Sequence, residues 1–177
     1  MPVYCGCNEK ALTSQRAIAC ALMELMETAP YSDISVSALC RAAGVSRPTF
    51  YSIFGSKDDV VAYILHESHC YTPEPEAGSC LKSFCMSYSE YIARQRHFLT
   101  LIVNNGVGHL LYRSIFDSLM DCGCFLRDLD TASRRSAANF TAGALTGVAQ
   151  DYVAREACTA DELCRLLESL FGGSLFG

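Results

Sequence analysis

The chain has 177 residues, half of them apolar, enough for one large helical domain or a small domain beside a larger one. No stretch of about 18 or more apolar residues occurs. The start, Met1-Pro2-Val3-Tyr4-Cys5, lacks the basic-then-apolar order of a secretion signal, so a cytoplasmic protein without a transmembrane helix is expected. A net charge of −5 argues against nucleic acid only as a sum: residues 1–57 carry five basic groups against four acidic ones, and residues 58–177 carry nine against fifteen. Nucleic-acid contact by the first part would therefore rest on geometry and on pairing of copies, since a broad basic field is absent.

The periodicity is helical throughout. A first helix is expected from about Thr13 or Ser14, with Ile18, Ala21, Leu22, Leu25 and Met26 on one face. It ends at Ala29-Pro30, because a residue before proline is pushed out of the helical region. Ser35 can cap a short second helix with Leu39, Cys40 and Ala43 inward, and Gly44 breaks it. Ser46 or Arg47 starts a third, with Pro48 in its first turn and Phe50 and Phe54 four apart as anchors. Ser56-Lys57-Asp58-Asp59 opens a fourth that carries Val60, Val61, Ile64 and Leu65.

Residues 71–78, Tyr-Thr-Pro-Glu-Pro-Glu-Ala-Gly, form the clearest break. Ser79 then caps a helix with Leu81, Phe84, Cys85, Tyr88 and Ile92 on one face, and the apolar run Phe98–Val103 stops near Gly106-Val107-Gly108. Leu110–Phe125 and Thr131–Glu156 are expected as two further helices. Thr159-Ala160-Asp161-Glu162 is a capping box before a final leucine-rich helix, and the tail 172–177 frays.

Eleven cysteines are many for this length. Without a secretion signal they do not suggest disulfides, and neither Cys5-Gly6-Cys7 nor Cys122-Gly123-Cys124 has C-x-x-C spacing. Cys20, Cys40, Cys85 and Cys164 fall at apolar helical positions, where a thiol packs as a small hydrophobe. His66 and His69 share a helix face beside Cys70, but two or three residues without a second cluster do not complete a metal site, so no metal and no cofactor are expected.

Two short helices joined by a glycine-containing turn make a helix-turn-helix. Ala42-Ala43-Gly44-Val45-Ser46 supplies small residues where helices cross, a glycine for a left-handed exit, and Val45 as a plug. The stretch 34–60, above all Ala-Gly-Val-Ser, Thr-Phe-Tyr and Phe-x-Ser-Lys-Asp, resembles the signature of the TetR (TetR/AcrR) family of bacterial transcriptional regulators. The resemblance implies that Arg47 to Ser52, including Pro48, lies in the DNA major groove, where the Arg47 fork can read guanine. It implies phosphate contacts for Thr49, Tyr51 and Lys57. Ser35, Ser37 and Ser46 stand at helix starts, where free amides also favour phosphate. Ile53 departs from the pattern, which usually has histidine, tyrosine or phenylalanine there; a possible polar contact to the backbone is lost.

The implied fold is all-α: a three-helix DNA-binding domain over 1–55, a connecting helix over 56–70, and an antiparallel helical ligand-binding and dimerisation domain over 71–177. The small-residue stretch 139–149, with Asp151-Tyr152-Val153 and the last helix, resembles a C-terminal domain type common in Firmicutes, which implies a four-helix dimer interface. An effector pocket is expected among Tyr88, Tyr91, Phe98, Asn104, Asn105, His109, Tyr112, Phe116, Asn139 and Phe140, an apolar set with a few polar groups. The same residues equally describe an ordinary core.

The expected function is that of a homodimeric repressor on a pseudo-palindromic operator, released by a small molecule. A thiol- or metal-responsive regulator and an activator working through a protein partner are the alternatives. No P-loop, G-x-S-x-G, H-E-x-x-H or nucleophile–base set is present, so no enzyme is expected.

Overall fold

In the computed structural model the described residues are 9–67, 81–122, 125–155 and 158–172. Among them every regular element is helical. The helices are α1 Glu9–Thr28, α2 Val36–Ala42, α3 Arg47–Ile53, α4 Lys57–Glu67, α5 Leu81–Arg94, α6 Arg96–Asn104, α7 Gly108–Asp121, α8 Thr131–Ala154 and α9 Ala160–Phe171, with one 3-10 turn at Tyr31–Asp33. None of them is long and apolar enough to cross a membrane. The break at 71–78, the Ser79 cap, Cys5, Cys7, Gly123, Cys124, His69, Cys70 and the last five residues lie outside the described residues.

The chain divides into two compact units, Met1–Glu67 with Leu101–Leu111, and Ser68–Thr100 with Tyr112–Gly177. In the first unit α1 packs against α2, α3 and α4. Ile18 and Leu22 are fully buried, as are Leu39, Phe50, Val60, Val61 and Leu65. Each such side chain contributes about 1.5–3 kcal/mol by leaving water. α1 is already helical at Glu9; Thr13 and Ser14 do not cap its start but donate back to the carbonyls of Glu9 and Lys10. Cys20 is exposed, not packed inward as its apolar surroundings suggested.

Two turns in this unit are built alike. In each, a glycine at positive φ follows the helix, Gly44 at 65° and Gly106 at 68°. A valine N–H then returns to a carbonyl five residues back, Val45 to Cys40 and Val107 to Ile102. This is the Schellman arrangement, and the left-handed residue at its centre favours glycine over any residue with a Cβ.

In the second unit α5 packs along α9, burying Cys85, Tyr88 and Ile92 with Leu163 and Leu167. Phe84 meets Phe171 edge-on at 5.9 Å. The Tyr88 hydroxyl donates to the Leu145 carbonyl at 2.9 Å, which ties α5 to α8, and burial raises its pKa well above the ordinary phenol value. α7 ends at Asp121, short of Phe125, and α8 at Ala154. Their last carbonyls are met by arginines from other helices. Arg134 donates to Phe125 O at 2.9 Å, Met120 O at 3.0 Å and Cys122 O at 2.5 Å. Arg96 donates to the carbonyls of Tyr152, Arg155 and Cys158 and stacks over the Tyr152 ring at 4.8 Å.

Candidate nucleic-acid interface

The second and third helices are fixed at their starts by hydroxyl caps. Ser35 Oγ accepts from Ala38 N–H, and Ser46 Oγ accepts from Thr49 N–H, both at 3.1 Å. Each cap is worth about 1 kcal/mol. Pro48 sits in the first turn of α3, where its missing N–H costs nothing. Below the surface Phe50 and Phe54 are 0% and 2% exposed, with ring centres 5.9 Å apart. These anchors clamp one face of α3.

The opposite face is open. Arg47, Pro48, Tyr51 and Ser52 are exposed, Tyr51 by 51%, and Thr49 is half-buried. The hydroxyls of Ser46 and Thr49 lie 2.7 Å apart, and Ser52 Oγ donates to Thr49 O. Ser35 and Ser37 are exposed at the start of α2. Expected contact residues from both helix starts therefore reach solvent, while α3 itself is held rigidly from behind. Ile53, the departure from the family pattern, is buried, so its apolar side chain serves the core of this unit.

Lys57 is half-buried. Its Nζ donates to the carbonyls of Tyr31 at 2.5 Å and Ile34 at 3.1 Å and lies 4.2 Å above the Tyr31 ring. Tyr31 is itself buried, and its hydroxyl donates to Asp58 at 2.5 Å. Burial first, and the Asp58 bond second, hold this phenol far above its ordinary pKa. The start of α4 is a capping box, in which Asp59 accepts from the N–H groups of Gly55 and Ser56 while Ser56 Oγ accepts from Asp59 N–H. Tyr31 and Asn105 organise this unit, and the sequence reading gave neither of them that part. Proline before Tyr31 hints that its N–H needs a partner, but no local pattern names a residue so far along the chain.

The residues expected to line an effector pocket are divided. Asn105 and His109 belong to the first unit, and the others to the second. Tyr88, Tyr91 and Phe98 are buried, and Tyr112 donates to Asn139 at 2.5 Å. Phe116 stacks on Tyr112 and lies under the Arg135 guanidinium at 5.2 Å. Asn104 and His109 are exposed, and Phe140 is 70% exposed.

Described residues form two open depressions, one apart from this set and one that takes in Asn104 and Asn105 from it. Arg155, Cys158, Glu162, Leu163 and Leu166 line one, and Met26–Pro30 with Asn104 and Asn105 line the other. Among the described residues no three His, Cys, Asp or Glu side chains are placed to hold a metal. Cys40 and Cys85 are buried, and burial pushes the Cys85 thiol up to about 11, away from the reactive thiolate.

Two capped helices joined by a left-handed glycine, with an anchored second helix whose outer face is free, define a helix-turn-helix DNA-binding domain. Residues 18–64 match the family profile "Bacterial regulatory proteins, tetR family". Over 49 residues the chain is 47% identical to the HTH-type transcriptional regulator EthR of Mycobacterium tuberculosis, covering 28% of this chain and 23% of that protein. It is 25% identical over 108 residues to the HTH-type dhaKLM operon transcriptional activator DhaS of Lactococcus lactis, covering 61% of this chain and 51% of the relative.

The chain thus spans about a quarter to a half of the curated relatives it matches. A solved structure, Lin0861 from Listeria innocua, shares the fold at a TM-score of 0.76 with 16% identity, covering 97% of this chain and 95% of that one. Residues 18–64 thus form a helix-turn-helix domain similar to that of the TetR family of bacterial regulatory proteins.

Proposed function

We propose that the protein represses transcription by binding a pseudo-palindromic DNA duplex as a homodimer, and that a small, largely apolar molecule with one or two polar groups releases it. The observation that carries the DNA reading is the outward Arg47–Tyr51–Ser52 face of a helix clamped from behind by Phe50 and Phe54. Arg47 reads a base edge; Thr49, Tyr51, Ser35 and Ser37 hold phosphates. Lys57 has three donors and gives two inward, so its phosphate contact uses the third.

The dimer reading draws support from α8, where Phe140, Gly143 and Gly147 are exposed and a Cβ on either glycine would meet nothing within the chain. The effector reading rests on the family. Its expected place reaches residues 71–78, outside the described residues, and Tyr88, Tyr112 and Asn139 spend their polar groups on neighbours.

Selection of bound duplexes from random DNA tests the reading. A symmetric motif is expected, bound by two chains in the ultracentrifuge, with affinity that falls steeply as salt rises. Arg47→Ala should cost about 1–3 kcal/mol on that motif and relax the choice at one position in each half. A selection that returns no symmetric motif overturns the proposal. Activation is a second reading, favoured by the match to DhaS, an activator by name, which extends beyond the helix-turn-helix. Transcription in vitro from a promoter carrying the selected motif separates the two by the sign of the effect.

A further inference from the structure

The corner between α1 and α2 runs through Thr28, Ala29 and Pro30; Ala29 N–H closes locally on Leu25 O, but the Tyr31 N–H does not close locally. Pro30 stands before the 3-10 turn and offers no side-chain cap. The Tyr31 N–H and the last carbonyls of α1 are helix-end groups that need partners from elsewhere. Asn105, 74 residues after Tyr31, supplies a partner for that N–H and for one of those carbonyls, Met26 O. Its Oδ1 accepts from Tyr31 N–H at 2.6 Å, and its Nδ2 donates to Met26 O at 3.4 Å and Leu101 O at 2.9 Å. A backbone N–H can only donate and carbonyls can only accept, so these partners fix which way the amide faces.

Asn105 is held as firmly as what it holds. It follows α6 directly and precedes Gly106 at φ 68°, and the Schellman bonds of the α6–α7 turn close around it. On its other side stands Tyr31, whose carbonyl shares the Lys57 ammonium with Ile34, the residue just before the Ser35 cap of α2. A continuous set of bonds therefore runs from the α6–α7 turn to the first turn of α2. Both helices belong partly to the other unit: α6 enters this one after Thr100, and α7 leaves it after Leu111.

We propose that Asn105 is a positioning residue: it couples the placement of the α6–α7 turn to the setting of the α2 N-terminus, and so to DNA affinity. It makes no DNA contact itself. The proposal rests on the DNA-binding reading above and adds to it the route by which α6 and α7 act on the head.

The test compares the full-length wild type with Asn105→Ala and Asn105→Asp. The aspartate keeps the acceptor for Tyr31 N–H and loses both donations. Amide exchange should quicken about tenfold or more at Tyr31 and Ala38 in Asn105→Ala while the amides of α3 keep their protection. Affinity for the selected duplex should fall by about five- to tenfold with the ranking of sequences unchanged, because a phosphate-side contact carries no sequence information. Asn105→Asp should fall between the two, and it carries the test if the alanine variant does not fold. Exchange that quickens evenly over the whole unit, or local quickening with unchanged affinity, overturns the proposal, since Asn105 would then be a structural residue alone. If the wild type itself binds no duplex, the DNA reading fails, and the coupling to DNA affinity falls with it. A wild type that binds while the variants bind equally well sinks only the coupling.

Discussion

The two units close their helices by different means. In the helix-turn-helix unit most ends are finished by neighbours in sequence: Ser35, Ser46 and the Ser56–Asp59 box at the starts, Gly44 and Gly106 at the stops. In the other unit α8 and α9 begin on local caps, Asp130 and Thr159. The far ends of α7 and α8 instead wait for Arg134 and Arg96 to arrive from other helices. The first unit can form its helix ends before its tertiary structure, whereas the second satisfies its carbonyls only once it has packed. Asn105 and Lys57 depart from this in the first unit by reaching residues far along the chain, and Asn105 is the one that we connect to regulation.

Substitutions should separate the two strategies. The largest effect is expected at Phe50, fully buried beneath the reading face. Phe50→Ala should cost about 3–5 kcal/mol and abolish operator binding, read by urea denaturation and by titration with duplex. Arg134→Ala leaves several carbonyls of the α7 end without their donor and should cost about 1–3 kcal/mol, with amides of α7 and α8 losing protection while those of α3 do not. Loss of protection in α3 as well would mean that the two units unfold as one.

Ser46→Ala removes a single local cap and should cost about 1 kcal/mol; Ser46→Gly should cost less. The smallest effect is an acid one. Glu162 accepts from the Thr159 N–H and hydroxyl, which hold its carboxyl below the usual range. A carboxyl with a depressed folded pKa adds stability above its ordinary pKa and loses it as the pH falls through the lowered value. The start of α9 should therefore fray in acid in the wild type. Glu162→Gln should flatten that pH dependence, and α9 amide exchange measured across the acid range checks it.

The same contrast explains what could be read without coordinates. Ser35, Gly44, Ser46, the anchor pair Phe50 and Phe54, and the Thr159–Glu162 box declare themselves because cap and helix are three or four residues apart. Periodicity also found Cys85, Tyr88 and Ile92 on the inward face of α5 and Leu163 and Leu167 on that of α9, but Leu81 and Leu166, counted with them, are exposed. It misjudged Thr13 and Ser14, whose hydroxyls turn back into α1, and Cys20, which faces out. It overran α7 past Asp121 by running the apolar pattern through Gly123 to Phe125, whereas the carbonyls at the helix end are met by an arginine on α8. The grouping of Asn105 and His109 with the first unit was equally hidden, since apolar spacing tells which face is inward and not which neighbour receives it.

The shortness of α3 has a consequence for how much one head can know. Seven residues at about 1.5 Å each span about 10 Å, or roughly three base-pair steps of about 3.4 Å. A vocabulary of three letters distinguishes about 64 words, while a genome offers about a million or more competing places to stop. One head alone would be a reader that recognises nearly every page. Two heads held at a fixed separation multiply their vocabularies and add a punctuation mark, the distance between the words, which no single helix can spell.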